Sequence, residues 1–190
     1  MTTYMQTHLG LDEAGAGALR QHYWQRYGAT LTGLIRNHAT DPRHFLKETH
    51  DFPALDRMVV REPGLRATLS RLPGRKIVFS NAPVHYATQV LNVLGIADLF
   101  DDLFSIEHTG FRPKPDSYGF LKLFRRNRVR ARACIMVEDT LANLKTAKKL
   151  GMSTVYVTRA RGARPSCTPA YVDYSIKNLL QLPRLAWHFN

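Results

Sequence analysis

The spacing of apolar residues changes once along the chain. Up to about residue 60 it is helical: Leu19, Tyr23, Tyr27, Leu31 and Leu34 recur three or four apart, and Gly28 and Gly33 interrupt that pattern without ending it. Asp41-Pro42 predicts a second helix start, an N-cap followed by proline at the first helical position, with Phe45 and Leu46 on the inner face. Around Asp51 to Arg61 the pattern dissolves and reads as a linker.

From Pro63 onward, short apolar runs alternate with helical segments. The expected helices are a short one carrying Leu65, Leu69 and Leu72, Val84 to Leu94 stopped by Gly95, Ser117 to Phe124 with Phe120, Leu121 and Phe124 on one side, and Leu141 to Leu150. The expected strands are a buried one at Lys76 to Ser80, then Leu103 to Ile106, Ala133 to Val137, Thr154 to Val157 and an edge strand at Val172 to Ile176. Alternation of this kind implies right-handed crossovers and a parallel sheet. The fold class is therefore α/β, a Rossmann-like parallel-sheet core over residues 61–190 joined to a small all-helical domain over residues 1–60.

Composition narrows the setting. With 190 residues, 44% hydrophobic and 22% charged, the chain suits one good core with a small appended domain. No apolar run approaches bilayer-spanning length, and Met1 to Gly10 is too polar for a secretory signal. Cys134 in an apolar run and Cys167 in a loop make neither a disulfide framework nor a metal site, so a cytoplasmic location is expected. The net charge of +12 comes largely from the run Arg125 to Arg132 and from Arg159, Arg161 and Arg164. Without interleaved aromatics, zinc ligands or a helix-turn-helix pattern, this reads as a solvated helix end and loop, and nucleic acid is not the expected partner. The sequence sets no oligomeric state.

Three polar groups stand where strands are expected to end, the edge at which open parallel sheets bind ligands. Ser80 and Asn81 lie between a strand and a helix, placed to hold a phosphoryl oxygen or simply to cap that helix. Lys114 sits between Pro113 and Pro115, which restrict its backbone, so its ammonium either offsets a bound anion or is merely solvated. Glu138 and Asp139 are adjacent carboxylates, hard oxygen donors of the kind Mg2+ takes one or two of, with helix capping by Asp139 as the alternative. Asn143, one helical turn beyond Asp139, is placed to support that acidic loop.

In this order and on this scaffold, the segments resemble the haloacid dehalogenase-like hydrolase superfamily. Ser80 matches its second motif, Lys114 its third and Glu138-Asp139 its fourth. Phe79-Ser80-Asn81-Ala82, Thr109 to Asp116, Val137 to Leu144 and Tyr23 to Leu34 look like its pyrimidine 5′-nucleotidase branch, with residues 1–60 as a helical cap. The resemblance implies Mg2+-dependent hydrolysis of a small phosphorylated substrate, such as a nucleoside monophosphate. Asp139 and Glu138 would serve the metal, Ser80, Asn81 and Lys114 the phosphoryl group, and Tyr27 the nucleotide.

It also implies an Asp-x-Asp pair ending a central first strand, the source of nucleophile and general acid. That motif is not found here: Asp101-Asp102 has the wrong spacing and lies downstream of Ser80. Losing a central parallel strand bares ladder groups and apolar faces, and at roughly 25 cal/mol per Å2 the cost is of the order of a whole stability margin of about 5–15 kcal/mol. The expectation is a shortened form of a longer enzyme, with Met1 an internal methionine. The alternatives are a noncatalytic relative that binds a phosphorylated ligand or partner, and a basic nucleic-acid-binding module.

Overall fold

Glycine and alanine in left-handed conformations partition the helical half. In a computed structural model, which describes residues 1–158 and 168–185, α1 (Thr2–Leu9) ends at Gly10 and α2 (Glu13–Tyr27) ends at Gly28, whose φ is 76°. Helix α3 (Thr30–His38) then starts afresh. This corrects the sequence expectation that Gly28 lies within one continuous helix: a positive φ costs glycine little, and the chain uses it to stop and turn. Gly33 does lie inside α3, for a packing reason given below.

Helix α4 (Pro42–Thr49) has the anticipated start, with the Asp41 carboxylate accepting from the Arg43 N–H at 2.9 Å. Helices α1 to α4 bury Met5, Tyr23, Leu34 and Phe45, and Ile106 from the second half of the chain completes that cluster. A single turn, α5 (Leu55–Met58), occupies the segment expected to be an unstructured linker.

The second half alternates as anticipated. It runs α6 (Leu65–Arg71), β1 (Ile77–Phe79), α7 (Val84–Leu94), β2 (Asp102–Phe104), α8 (Ser117–Asn127), β3 (Ile135–Glu138), α9 (Leu141–Lys149), β4 (Ser153–Val157) and β5 (Tyr174–Ile176). Ile106 lies in a 3-10 turn after β2, not in the strand, and the segment after β5 is a 3-10 helix. On α8 the inward residues are Phe120 and Leu123, whereas Leu121 is 53% exposed. Arg125 and Arg126 close that helix, where cations complement the C-terminal dipole. Arg159, Arg161, Arg164 and Cys167 lie outside the described residues.

Every strand pairing is parallel, as the alternation required, but among the described residues the strands form two sheets. β1 pairs with β2, and β3-β4-β5 form a separate three-stranded sheet. β1 is half-buried, not buried, and on β3 Ile135 and Val137 are 41% and 37% exposed. Apolar side chains in a parallel sheet are ordinarily covered on both faces. Phe79 packs across the break, edge-on to Phe104 (5.6 Å) and to Phe120 (5.0 Å) in the core of the second sheet.

A β-carbon added at Gly33 would overlap the ring of Tyr23, which is fixed by a 2.8 Å hydrogen bond to His38 Nε2. Alanine gains about 1 kcal/mol of helix propensity, while forced overpacking costs about 1–3 kcal/mol. Gly33→Ala is therefore expected to lower the urea midpoint, whereas Gly17→Ala, with open space around its β-carbon, raises it. A gain in both variants contradicts this packing.

Candidate active site

The site is organised by the loop joining the turn at Ile106–Thr109 to α8. Gly110 and Phe111 are consecutive left-handed residues, at φ 65° and 63°. That conformation is unfavourable for a bulky side chain and is held by its surroundings. The Phe111 N–H donates to Ile106 O at 3.0 Å, and its ring packs against the helical cluster. Further along, Arg112 bonds Asp116 at 2.8 Å, Asp116 caps α8 through the Tyr118 N–H, and the Thr146 hydroxyl donates to Pro115 O at 2.9 Å. The Lys114–Pro115 peptide is cis.

Asn81 clasps the main chain of Lys114. Its Oδ1 accepts from the Lys114 N–H at 2.8 Å and its Nδ2 donates to Lys114 O at 3.1 Å. With its backbone fixed, Lys114 sends its ammonium to Phe79 O at 2.7 Å and Glu138 Oε2 at 2.8 Å. Both side chains are largely buried, at 8% and 11% exposure. Phe79 ends β1 and Glu138 ends β3, so one cation joins the C-terminal ends of the two sheets.

The acidic loop is ordered by the same carboxylate. Glu138 Oε1 accepts from the Asp139 and Thr140 N–H groups at 3.1 and 3.2 Å, and Asp139 Oδ1 accepts from the Thr140 hydroxyl at 3.3 Å. Glu138 is thereby committed to Lys114 and to main-chain donors, and Asp139 follows it at the exit of β3. The oxygen-rich donor set fits Mg2+, which takes one or two carboxylates and completes its shell with water and substrate. Asn143 is buried at the start of α9, its main-chain N–H bonded to Thr140 O.

Ser80 also stands at this edge, its main-chain N–H bonded to Phe104 O and its Oγ accepting from the Ala82 N–H at 3.0 Å. Neither Ser80 nor Asn81 caps α7. Pro83 holds the cap position, and the Val84 N–H is taken by the Glu107 carboxylate at 3.0 Å. The start of that helix thus already faces an anion, and the polar side chains that directly follow β1 are the Ser80 hydroxyl and the Asn81 amide. Asp101 and Asp102 lie at the opposite end of the sheet. Burial pushes the Asp102 carboxyl up, but Arg126 and Asn127 outweigh it and hold it below the usual carboxylate range.

A cleft of about 550 Å3 separates the helical cluster from this edge, and Asn81 and Pro113 belong to its wall. Arg20, Trp24, Thr32 and His50 line the other side. Trp24 and Thr32 lie in the Tyr23 to Leu34 string that carries the resemblance, but none of the four is named as a site residue by the sequence, where helical spacing emphasises buried positions. The Thr32 hydroxyl is buried without a partner among the described residues, and Trp24 is 63% exposed. Burial pushes the His50 imidazole down, so it is neutral near pH 7. Tyr27 is not in the wall: it packs on the helical cluster, with Arg26 and Arg36 over its ring at 5.5 and 5.1 Å.

Removing one partner of a buried ion pair strands the other charge, at a cost of about 3–5 kcal/mol, while removing both costs far less. Lys114→Met is accordingly expected to destabilise by about 3–5 kcal/mol, and Lys114→Met/Glu138→Leu by less than the sum of the single changes. Urea unfolding of the full double-mutant cycle measures this, and strict additivity contradicts the bridge.

A family model for haloacid dehalogenase-like hydrolases matches residues 6–151. Phosphate metabolism protein 8 of Saccharomyces cerevisiae is 26% identical over 169 residues, covering 82% of this chain and 53% of its own, so the chain spans about half the length of that curated relative. Among solved structures, a HAD phosphatase from Thermococcus onnurineus aligns with a TM-score of 0.62 at 17% identity, covering 97% of this chain and 85% of its own. The L-2-haloacid dehalogenase of Xanthobacter autotrophicus, with chloropropionic acid covalently bound, aligns at 0.59 and 18% identity, covering 97% and 90%. The HAD-hydrolase YfnB of Bacillus subtilis, bound to magnesium, aligns at 0.59 and 20% identity, covering 97% and 88%. These structures share the fold, and with a family match over most of its length the chain belongs to the haloacid dehalogenase-like hydrolases.

Proposed function

We propose that this hydrolase is a Mg2+-dependent phosphomonoesterase of the pyrimidine 5′-nucleotidase type, acting on a nucleoside monophosphate or a similar small phosphate. The observation that carries the reading is the placement of Lys114. Its ammonium is buried, fixed at both its main chain and its tip, and set at the sheet edge beside Ser80, Asn81 and Asp139. A preorganised cation of this kind stabilises charge on a transferring phosphoryl group without reorganising. The Ser80 hydroxyl and the Asn81 amide orient the phosphoryl oxygens beside it.

Asp139, supported by Glu138 and the Thr140 hydroxyl, would hold the metal, which when bound screens phosphate charge and aligns the reacting oxygens. The cleft accounts for the rest of the substrate. Trp24 offers an aromatic face for a base, and Arg20 adds positive charge on the same wall.

The break between β1 and β3 bears on the nucleophile. We propose that full activity needs a further strand seated between their free edges, carrying the acidic pair that the family resemblance implies. Until then the chain holds a phosphorylated ligand without turning it over, and the exposed Ile135 and Val137 support this second reading.

Phosphate release from nucleoside monophosphates, with Mg2+ and with EDTA, tests both statements. The expected result is near-background turnover by the 190-residue chain. Turnover should rise at least a hundredfold, on the scale of a lost nucleophile or acid–base group, once an apolar strand ending in Asp-x-Asp precedes it, and Asp139→Asn should abolish it. Strong turnover by the 190-residue chain that ignores both EDTA and Asp139→Asn contradicts the reading.

A further inference from the structure

We propose that His8, His44 and Glu48 form a binding site for a divalent transition-metal ion of the zinc type, tying α1 to α4 on the outer face of the helical half. The site is separate from the Lys114 centre and does not depend on the function proposed for it.

The three side chains converge from two helices. His8 Nε2 lies 2.8 Å from Glu48 Oε2, and His44 Nε2 lies 3.1 Å from Glu48 Oε1. All three ligand atoms fall within 4.8 Å of one another. Tetrahedral zinc, with bonds of about 2.0–2.2 Å, needs ligand atoms roughly 3.3 Å apart, so the cluster reaches that geometry by small side-chain shifts. Among the described residues, this is the group of histidine, cysteine and carboxylate side chains that meets three-ligand spacing, and the Glu138-Asp139 loop does not.

The donor set discriminates between metals. Two imidazoles and one carboxylate suit Zn2+, Co2+, Ni2+ or Cu2+, whereas Mg2+ prefers oxygen alone. Exposures of 34%, 45% and 44% for His8, His44 and Glu48 leave room for water at the remaining position. Each Glu48 oxygen faces the Nε2 of a different imidazole, an arrangement that hydrogen bonds alone also satisfy and that a metal ion would bridge.

A supporting group is already in place. The Tyr4 hydroxyl, on a residue 8% exposed, lies 3.1 Å from His44 Nδ1. If that nitrogen carries the proton and donates it to Tyr4, the lone pair of Nε2 points at the metal position, which is how outer partners orient ligating histidines. The Tyr4 ring also lies against His8, tilted by 37° with centroids 4.2 Å apart, and meets Phe45 edge-on at 4.9 Å, restricting the imidazole from behind.

The test uses tag-free protein stripped with EDTA and then titrated with Co2+ and Zn2+. The expected results are the intense visible absorption of low-coordinate cobalt and, with zinc at a hundredfold its Kd, a Tm rise of roughly 5–10 °C. His8→Gln/His44→Gln, checked for unchanged helix content by circular dichroism, should lose both signals. Tyr4→Phe should weaken binding roughly tenfold or more while leaving the cobalt spectrum recognisable. Signals in the double variant equal to those of the native chain overturn the proposal, as does a native chain that gives neither signal.

Discussion

The two sheets of this protein are joined at the C-terminal ends of β1 and β3 by the ammonium of Lys114. In a parallel ladder the N–H and C=O of one residue point to the same side, and successive residues alternate. Asp101 bonds Lys76 O and Ser80 bonds Phe104 O, so Lys76, Val78 and Ser80 face β2 while Ile77 and Phe79 face away. By the same alternation Ile135 and Val137 face away from β4, because Ser153 bonds Cys134 O. The carbonyl of Phe79 thus opens onto the free edge, and Lys114 satisfies it. The backbone polarity left by the break is met by one buried cation, which Glu138 balances.

That economy explains why so much of the neighbouring structure serves to position Lys114. Asn81 fixes its main chain, Thr146 anchors Pro115, and the Arg112–Asp116 pair and the α8 cap hold the end of the loop. The start of the loop is set by Phe111, which packs on the helices that form the far wall of the cleft. A displacement of those helices would therefore be felt at the site through Phe111. The helical cluster and the loop that carries Lys114 are thus in direct contact through Phe111.

Much of this was legible in the sequence because it rests on local rules. Gly95 after an apolar helix, Asp41-Pro42 before another, and short apolar runs ending in Ser80 and Glu138 each act within a turn or two. The parallel α/β class and the family followed from those signals. What the sequence hid depends on contacts distant along the chain. Nothing local shows that Asn81 holds Lys114, that Glu107 rather than a phosphate faces the start of α7, or that Leu121 turns outward while Leu123 turns in. Gly28 was misread because the periodicity runs through it in register, and a positive φ leaves no trace in that pattern. The His8, His44 and Glu48 cluster was half visible, as an i, i+4 pair on α4, while His8 arrives from another helix.

The central claim is that a side-chain cation, not a backbone ladder, joins β1 to β3. Amide hydrogen exchange tests it residue by residue, since ladder amides in a core open only with large-scale unfolding. The account predicts fast exchange at Ile77, Phe79, Ile135 and Val137, and slow exchange at Val78, Met136 and Val155, whose N–H groups face paired strands or lie in the central strand. Protection of Phe79 and Val137 equal to that of Val155 would contradict it, because those amides would then belong to a continuous sheet.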